Sequence, residues 1–428
     1  MSGSAAGGLL HAQIRCGIQQ NTERSVSWYY MLKSHEEKHR SFVEKLRFFR
    51  ENTTHSRAVG NLPNVFWYKR RAYHRSFFSK TVSRMAARYL FVNDLRRDES
   101  RQRRRRGPNP LQELSDEDFL KEYRMTKGEV NYLCNLLKDD LSPRGRRLID
   151  LTVQEKVLIS LKTLASGSFQ NSSKDALNVS QPTVSVVLDQ FVNALNKKAP
   201  QFIYMPRNDD EMDKTKTEFY NFAGFPGVIG CIDGTHVPII APPEDEYVYV
   251  NRRKFHSINV MAVCDAQMVL TSVVAKWPGS SHDSFILNTS SLNTKFESGH
   301  YGRSWLLGDS GYALKSWLIT PLKEPSTPKQ RRFNRSHKKT RSLIERTFGI
   351  LKSRWRILDH TGGRMCYLPQ KAAKIFMCCS ILHNICRRNG TPIVDAIVQN
   401  DNSMDMEEEE SSSSDAGLRQ RQRLIDLF

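Results

Sequence analysis

The 428-residue chain lacks any apolar run of the roughly 18 residues that a membrane-spanning helix requires. Its N-terminal stretch, MSGSAAGGLLHAQIRCG, lacks the apolar core of a secretory signal. The eight cysteines include no CxxC pair and no knot-like spacing, so a disulfide-rich scaffold is not indicated. These absences favour a reducing intracellular compartment and leave no membrane among the expected partners.

Acidic side chains are comparatively few. The 65 Lys and Arg residues outnumber 45 Asp and Glu, giving a net charge of +20. Residues 1–110 alone carry 23 basic against 8 acidic side chains. Such an excess points to nucleic acid first and to an anionic membrane surface second, and of these two we expect nucleic acid as the partner. The run Arg101–Arg106 suits a nuclear-import signal or a phosphate-binding arm, and a solvated charge run explains it equally well.

Composition divides the chain into five segments. Residues 1–84 form a basic extension without regular hydrophobic spacing, which we expect to be poorly ordered. Residues 85–110 form a basic arm, and Met85 is an alternative start. Residues 111–199 have helical periodicity, and residues 200–388 combine strand and helix patterns. Residues 389–428 contain MEEEESSSSDAG and are predicted to be an acidic, largely disordered tail.

The segment 111–199 has the layout of a helix-turn-helix. Thr152 begins a helix that Gly167 ends, and a short helix is expected at 173–177. Ser180 suits the N-cap of a longer helix that runs to Leu195. The front of that helix offers small polar groups able to reach base edges: Gln181, Thr183 and Ser185. A plain three-helix bundle is the alternative.

The segment 200–388 is predicted to be a mixed α/β layer fold. A helix is expected from about Ser336 to Leu358, and another ends at about Arg388. Two of the strands are separated by four residues, which indicates a hairpin. The strand-like runs are Val228–Ile232, Ser257–Val263, Met268–Val274 and Trp305–Gly308.

Three carboxylates stand out by their context. Asp233 follows the first strand, Asp309 follows the fourth, and Glu345 lies at the edge of the apolar stripe of a helix. Such groups can converge at one end of a sheet, where they stay ionised only with a cation between them. Mg²⁺ or Mn²⁺ would suit oxygen ligands, and two such ions can promote phosphodiester cleavage. Asp233 and Asp309 could instead belong to simple turns, and Glu345 could pair with Arg341 at i−4.

A family resemblance strengthens the first interpretation. The motifs LASGSFQ, SQPTVS, GVIGCIDGTHVPI, YVNRRKFHSINVMAVCD, WPGSSHDS, SWLLGDSGY, RSLIERTFGILKSRW and CCSILHN occur in consistent order between about residues 111 and 388. In them the chain resembles the PIF/Harbinger superfamily of DDE transposases, including the transposase-derived nucleases of animals. The resemblance implies an RNase H-like catalytic domain and a metal-dependent triad, which falls on Asp233, Asp309 and Glu345.

The same resemblance implies roles for Asn334, His337 and Arg341 as orienting or DNA-contacting groups. It also implies a Myb/SANT-like DNA-binding partner protein. From the residues themselves, we interpret the basic run Arg252, Arg253 and Lys254 as a phosphate contact, with a solvated loop as the alternative.

Two further features have simpler explanations. Cys378, Cys379, His383 and Cys386 lie on one apolar helical segment, so a packing helix is favoured over a zinc site. Asp283 could contact the metal ligands without binding the metal itself, but Asp is common at the start of a helix in any case.

We therefore expect a metal-dependent DNA endonuclease derived from a transposase, located in the nucleus and also in the cytoplasm. The fold class is α/β, an RNase H-like domain preceded by an all-helical, helix-turn-helix-like domain. A catalytically inactive DNA-binding adaptor and an active transposase are the alternatives. The oligomeric state is left open, with a homo-oligomer among the candidates.

Overall fold

The computed structural model describes residues 109–142, 151–167, 179–359, 364–394 and 413–428. All of them belong to one compact unit, Arg96–Phe428. The expectations for residues 1–108, for the short helix at 173–177 and for the acidic run at 407–410 lie outside the described residues.

The described elements alternate between helical and sheet regions. Eight helices precede the sheet: α1 (Pro110–Glu113), α2 (Asp116–Tyr123), α3 (Lys127–Leu136), α4 (Lys138–Leu141), α5 (Val153–Ser166), α6 (Gln181–Asn196), α7 (Ala199–Phe202) and α8 (Asp209–Ala223). The rest are β1 (Val228–Pro238), β2 (Ser257–Cys264), β3 (Leu270–Pro278), α9 (Asp283–Asn288), α10 (Ser291–Glu297), β4 (Trp305–Leu307), β5 (Leu318–Ile319), α11 (Pro328–Arg354), α12 (Pro369–Arg388) and α13 (Asp415–Asp426). Short 3₁₀ turns occur at Glu246–Tyr249 and Arg356–Leu358.

Five strands form one mixed sheet in the order β3-β2-β1-β4-β5. β1, β2 and β3 pair antiparallel, while β4 and β5 extend the sheet in parallel beside β1. The predicted mixed α/β fold is confirmed.

β1 is longer than predicted, and this changes the position of Asp233. Pairing with β2 continues from Cys231 to Pro238, and Asp233 lies opposite Ala262. The prediction that Asp233 ends the strand is therefore wrong. Its polar side chain interrupts the apolar pattern, but the backbone stays in the ladder because β2 supplies its hydrogen-bonding partners.

The side chains of β1 alternate between two apolar layers. Cys231 and Val237 lie in the core under α11 and α12, whereas Ile232 lies in the core with α9 and α10. Since successive strand residues point to opposite faces, Asp233 shares the α11 face with Cys231. The Cys231 thiol donates to the Thr340 carbonyl at 3.3 Å, which fixes α11 against β1 beside Asp233.

The predicted boundary at residue 199 does not separate two cores. One apolar cluster includes Phe119 and Leu161 of the helical segment together with Val260 and Phe376 of the sheet region. Two polar contacts cross the same junction: buried Arg354 donates to the Arg124 carbonyl at 2.9 Å, and Asn196 donates to the Lys374 carbonyl at 2.9 Å. The helices of residues 109–199 thus pack directly onto α11 and α12.

Helix boundaries follow local capping chemistry. Thr152 and Glu155 form a capping box at the start of α5, and Gly167 ends it in the left-handed region, as predicted. α11 begins at Pro328, eight residues before the predicted start at Ser336. Thr327 and Gln330 form a capping box there, and Pro328 occupies the first turn.

The end of the acidic tail is ordered, contrary to the prediction for 389–428. α13 contacts α11 and β5, and Leu424 and Ile425 are buried. The ring of Phe428 packs against Phe225 and Phe333. The prediction of a largely disordered tail is wrong for residues 413–428, because their apolar side chains pack against α11 and β5.

None of the described helices is both long enough and apolar enough to cross a lipid bilayer.

Candidate active site

The site is built around Asp233, whose side chain is only 16% exposed. Its Oδ1 accepts a hydrogen bond from the Gly234 amide at 2.8 Å. Its Oδ2 lies 3.3 Å from Nη1 of Arg341 on α11. The carboxylate is thus held on the face of the sheet that α11 covers.

Asp309 follows β4, the parallel neighbour of β1. Leu307 pairs with Cys231, so the chain leaves β4 at nearly the level of Asp233. The Gly308 amide donates to the Ile319 carbonyl at 3.1 Å, and the Tyr312 amide to the Asp309 carbonyl at 3.4 Å. These bonds fix the turn that carries Asp309 at the carboxyl end of β4.

Glu345 comes from α11 and is the most exposed of the three carboxylates, with 46% of its side chain accessible. One helical turn earlier, Nη2 of Arg341 forms an ion pair with Oε1 of Glu345. Arg341 therefore bridges Asp233 and Glu345. The i−4 pairing that the sequence allowed is present, and it extends to a second carboxylate.

The charges of all three acids act on the guanidinium of Arg341. Burial, followed by the charge of Asp309, raises the pKa of Asp233 well above its usual value, while Arg341 acts in the opposite direction. Burial lowers the pKa of Arg341, but the neighbouring carboxylates, Asp233 first, outweigh it and raise that pKa overall. Deprotonated Asp233 and Asp309 thus repel one another, and a cation between them relieves the repulsion.

Asp283 is a fourth carboxylate near this part of β1, but it lies on the other face of the strand. It occupies the position that a Cβ at Gly234 would take, and Gly234 faces away from the side of Asp233. Asp283 begins α9, and its Oδ1 accepts a hydrogen bond from Nδ2 of Asn259 at 2.7 Å. Burial raises its pKa; Asn259 lowers it, and the charge of Asp309 raises it further. The interpretation of Asp283 as an ordinary helix-start residue leaves this position unexplained.

The donor chemistry of the site fits a divalent cation. Its ligands would be carboxylate oxygens, which Mg²⁺ and Mn²⁺ prefer. Within the described ranges, no three His, Cys, Asp or Glu side chains already surround one point as metal ligands. The guanidinium of Arg341 instead binds oxygens of Asp233 and Glu345.

The predicted DNA contacts at His337 and Arg341 are not supported. His337 is 1% exposed, and its Nε2 donates to the Ile319 carbonyl at 3.0 Å in the neutral tautomer. Burial lowers its pKa to about 4. Arg341 is directed at carboxylates instead of solvent. Asn334 holds the chain that precedes α11, because its side chain exchanges two hydrogen bonds with the Leu322 backbone.

The other predicted DNA contacts lie on the surface. Arg252, Arg253 and Lys254 form an exposed turn before β2, stabilised by Oδ1 of Asn251, and Arg252 contacts Nδ1 of His282 at 2.9 Å. Gln181 at the start of α6 is exposed, and Thr183 and Ser185 are half-buried. The Thr183 hydroxyl also bonds the Ser180 hydroxyl at 2.8 Å.

The helix that carries the cysteines of α12 packs in the core, as predicted. Cys378, Cys379, His383 and Cys386 are fully buried, and Nε2 of His383 bonds the Met268 carbonyl at 2.9 Å.

The basic surface of α11 is not among the features predicted from the sequence. The stretch Pro325–Ile344 contains no acidic residue, and on α11 its basic side chains Arg335 and Lys338 are exposed ahead of Glu345. Helical periodicity extended N-terminally from Ser336 would have revealed this basic face, which leads directly to the carboxylates.

With this geometry in place, comparison with known proteins identifies the class. Residues 232–384 match the family described as DDE superfamily endonuclease. The proteins named "Putative nuclease HARBI1" from Bos taurus and Homo sapiens are each 40% identical over 283 residues, which is 66% of this chain and 81% of theirs. "Protein ALP1-like" of Arabidopsis thaliana is 28% identical over 287 residues, or 61% of this chain and 69% of its own.

The chain therefore belongs to the PIF/Harbinger superfamily of DDE transposases, and it is similar to the transposase-derived nucleases of that group. No solved structure matches it.

Proposed function

We propose that the protein is a metal-dependent DNA endonuclease derived from a Harbinger transposase, with an RNase H-like catalytic domain. Asp233, Asp309 and Glu345 would be its catalytic, metal-binding carboxylates. One observation carries the proposal: Asp233 and Glu345 share the Arg341 guanidinium, and Asp309 follows the strand that pairs beside Asp233. The matched family is described as an endonuclease family, which supports phosphodiester cleavage as the reaction of these carboxylates.

Asp233, Asp309 and Glu345 would hold Mg²⁺ or Mn²⁺. When bound, such ions activate a water molecule and stabilise the leaving oxygen of a phosphodiester. The protein's own contribution is positional. The β1–β2 ladder fixes Asp233, the turn after β4 fixes Asp309, and the Cys231–Thr340 bond keeps α11 close to both.

DNA would follow the basic surfaces that flank this site. The turn Arg252–Lys254 and the exposed face of α11 with Arg335 and Lys338 would neutralise backbone phosphates. Gln181, Thr183 and Ser185 at the front of α6 would contact base edges, as in a helix-turn-helix. A Myb/SANT-like partner would add sequence recognition. A DNA substrate would favour the nucleus, with the cytoplasm as a second compartment, and a homo-oligomer would be the assembly.

A DNA-binding adaptor without catalysis is the second candidate, and one observation favours it. The Arg341 guanidinium pairs with both Asp233 and Glu345, so a positive charge of the protein itself lies between these two carboxylates. A protein without catalytic activity could retain its fold and these carboxylates, because Arg341 supplies a positive charge beside them.

Cleavage of a panel of DNA substrates by the purified full chain, with Mg²⁺ or Mn²⁺, decides between the two candidates. Asp233→Asn, Asp309→Asn and Glu345→Gln should each reduce cleavage by at least about 100-fold, since even outer partners of metal ligands can cost that much. Asp265→Asn is the matched control, because Asp265 is a half-buried acid in the β2–β3 turn.

Cleavage that survives these three substitutions would refute the assignment of the triad. Absence of cleavage by the wild type under every condition, with tight DNA binding retained, would favour the adaptor.

A further inference from the structure

Phe285 on α9 is an exposed apolar residue that belongs to an aromatic pair. It is 50% exposed, and its ring lies 5.0 Å from the ring of Trp277 on β3 at an interplanar angle of 77°. This edge-to-face arrangement is a preferred geometry of aromatic rings. The contact with Trp277 therefore restrains a Phe285 ring that remains half accessible to solvent.

A bulge in the edge strand β3 brings a lysine to the same pair. Ala275 and Trp277 lie opposite successive residues of β2, so Lys276 between them is an extra residue. Bulges of this kind re-aim side chains. The exposed Lys276 places its Nζ 5.1 Å from the centroid of the Trp277 ring, within the range of a cation–π contact. A positive charge is thus held beside the aromatic pair.

The basic turn Arg252–Lys254 adjoins this pair through the first turn of α9. Nη2 of Arg252 donates to Nδ1 of His282 at 2.9 Å, and the His282 carbonyl accepts the Phe285 amide at 3.1 Å. Arg252 and His282 are both exposed. The aromatic–basic surface is defined by five residues: Arg252, Lys276, Trp277, His282 and Phe285.

The acidic residue of α9 is directed away from this surface. A Cβ atom at Gly234 would lie 2.3 Å from Oδ2 of Asp283, so this carboxylate is turned inward onto β1. Glu246, in the 3₁₀ turn before β2, lies 2.9 Å from Nε2 of His256. The cations around Phe285 therefore reach solvent with no carboxylate of α9 between them.

DNA with unpaired bases suits such a surface. Proteins that bind single strands combine aromatic rings, on which bases stack, with cations that follow the phosphates. The Ser284 hydroxyl donates to the Gly311 carbonyl at 2.7 Å, two residues after Asp309. α9 is therefore joined to the turn that carries a candidate catalytic acid, and the aromatic–basic surface adjoins that side of the candidate active site.

We propose that the aromatic–basic surface stacks an unpaired base of the DNA on Phe285, while Lys276 and Arg252 contact the flanking phosphates. This inference rests on the proposed function, because it takes DNA as the ligand.

Fluorescence anisotropy of the purified full chain tests the inference with two probes, a fully paired duplex and the same duplex with one strand extended by unpaired thymines. Phe285→Ala should weaken binding of the extended probe by at least about 5-fold and change binding of the paired duplex by less than about 2-fold, since stacking acts on unpaired bases. Phe285→Tyr should bind both probes as the wild type does. Tyr132→Ala is the matched control, because Tyr132 on α3 is an aromatic residue with 47% exposure.

A fluorescent base in the extension gives a second, spectroscopic readout. With 2-aminopurine as one unpaired base, saturating wild-type protein should change its emission by stacking, and saturating Phe285→Ala should not. Should Phe285→Ala fail to fold, Phe285→Leu keeps an apolar side chain beside Trp277 and removes the ring.

The outcomes separate this inference from the proposed function. If the ring-deleting variant binds the extended probe as tightly as the wild type, or weakens both probes equally, base stacking on Phe285 is refuted and the proposed endonuclease stands. If the wild type binds neither probe and cleaves no DNA, both proposals fail.

Discussion

Nη1 of Arg341 lies 3.3 Å from Oδ2 of Asp233, and this contact joins helix α11 to strand β1 at the candidate active site. The other terminal nitrogen of the same guanidinium pairs with Glu345. An internal cation therefore binds two of the oxygen donors that a metal ion would use. A metal ion and Arg341 compete for these oxygens, or share them.

Replacing Arg341 by Gln should reveal this competition. The metal-free variant loses a charged hydrogen bond to Asp233, and we expect it to lose roughly 1.5–3 kcal/mol of stability. Its carboxylates then repel without compensation, so Mn²⁺ should raise its melting temperature more than that of the wild type. Thermal denaturation with and without Mn²⁺ measures both effects. An equal gain for the two proteins would contradict the competition.

Gly234 should tolerate no side chain. Gly234→Ala places a Cβ 2.3 Å from the Asp283 carboxylate, so we expect a loss of about 1–3 kcal/mol, typical of overpacking. Gly349→Ala is the matched control. Gly349 lies inside α11 with no atom near its Cβ position, and Ala should stabilise that helix by about 1 kcal/mol. Urea denaturation of both variants checks the contrast, and equal changes would exclude a steric origin.

Features encoded by a few neighbouring residues could be predicted from the sequence. The ends of α5 at Thr152 and Gly167 depend on capping within one helical turn, and both are as expected. The extension of β1 beyond Ile232 could not be predicted in the same way. It depends on pairing with β2, and on Arg341, 108 residues away, to neutralise Asp233.

In the candidate site, too, some features could be predicted from local motifs, while others depend on residues distant in the sequence. Motifs indicated Asp233, Asp309 and Glu345, and in the fold the charges of all three act on Arg341. The burial of His337 follows from packing against β5, and no local pattern distinguishes it from the exposed Lys338 beside it. Likewise, Leu424 is buried only because α11 and β5 offer a surface distant in sequence.

The buried His337 should make stability depend on pH. Its pKa in the folded state is about 4, below the ordinary 6.5. Between these values the unfolded chain binds a proton that the folded protein excludes, so this contribution to stability is lost as the pH falls from 6.5 towards 4.

His337→Gln keeps a donor for the Ile319 carbonyl but does not titrate. The stability difference between wild type and variant should therefore shrink by about 2–3 kcal/mol from pH 7 to about pH 4.5, measured by urea unfolding. A difference independent of pH would show that His337 is not buried in its neutral form.

Docking of α13 should contribute to global stability. Leu424 is 2% exposed, and Leu424→Ala should cost about 2–5 kcal/mol if the helix belongs to the folded core. Leu427, three residues further on, is 70% exposed, and Leu427→Ala should change stability by less than about 0.5 kcal/mol. Chemical denaturation of the two variants gives the comparison. Equally small effects would mean that α13 detaches in solution.

The exposed basic face of α11 should set the salt dependence of DNA binding. Arg335 and Lys338 precede Glu345 on a stretch without acidic residues, so each is available to a phosphate. The double variant Arg335→Ala/Lys338→Ala should weaken binding of every DNA sequence alike. It should also reduce the slope of log K against log salt by about 2, one unit for each lost phosphate contact.

Lys216→Ala is the matched control for this measurement, because Lys216 on α8 already pairs with Asp213 at 3.1 Å. It should leave the slope nearly unchanged. Fluorescence anisotropy across a series of salt concentrations, with two unrelated duplexes, measures both quantities. If the double variant keeps the wild-type slope, the DNA backbone does not run along α11, and the route to Glu345 must instead pass over the turn Arg252–Lys254.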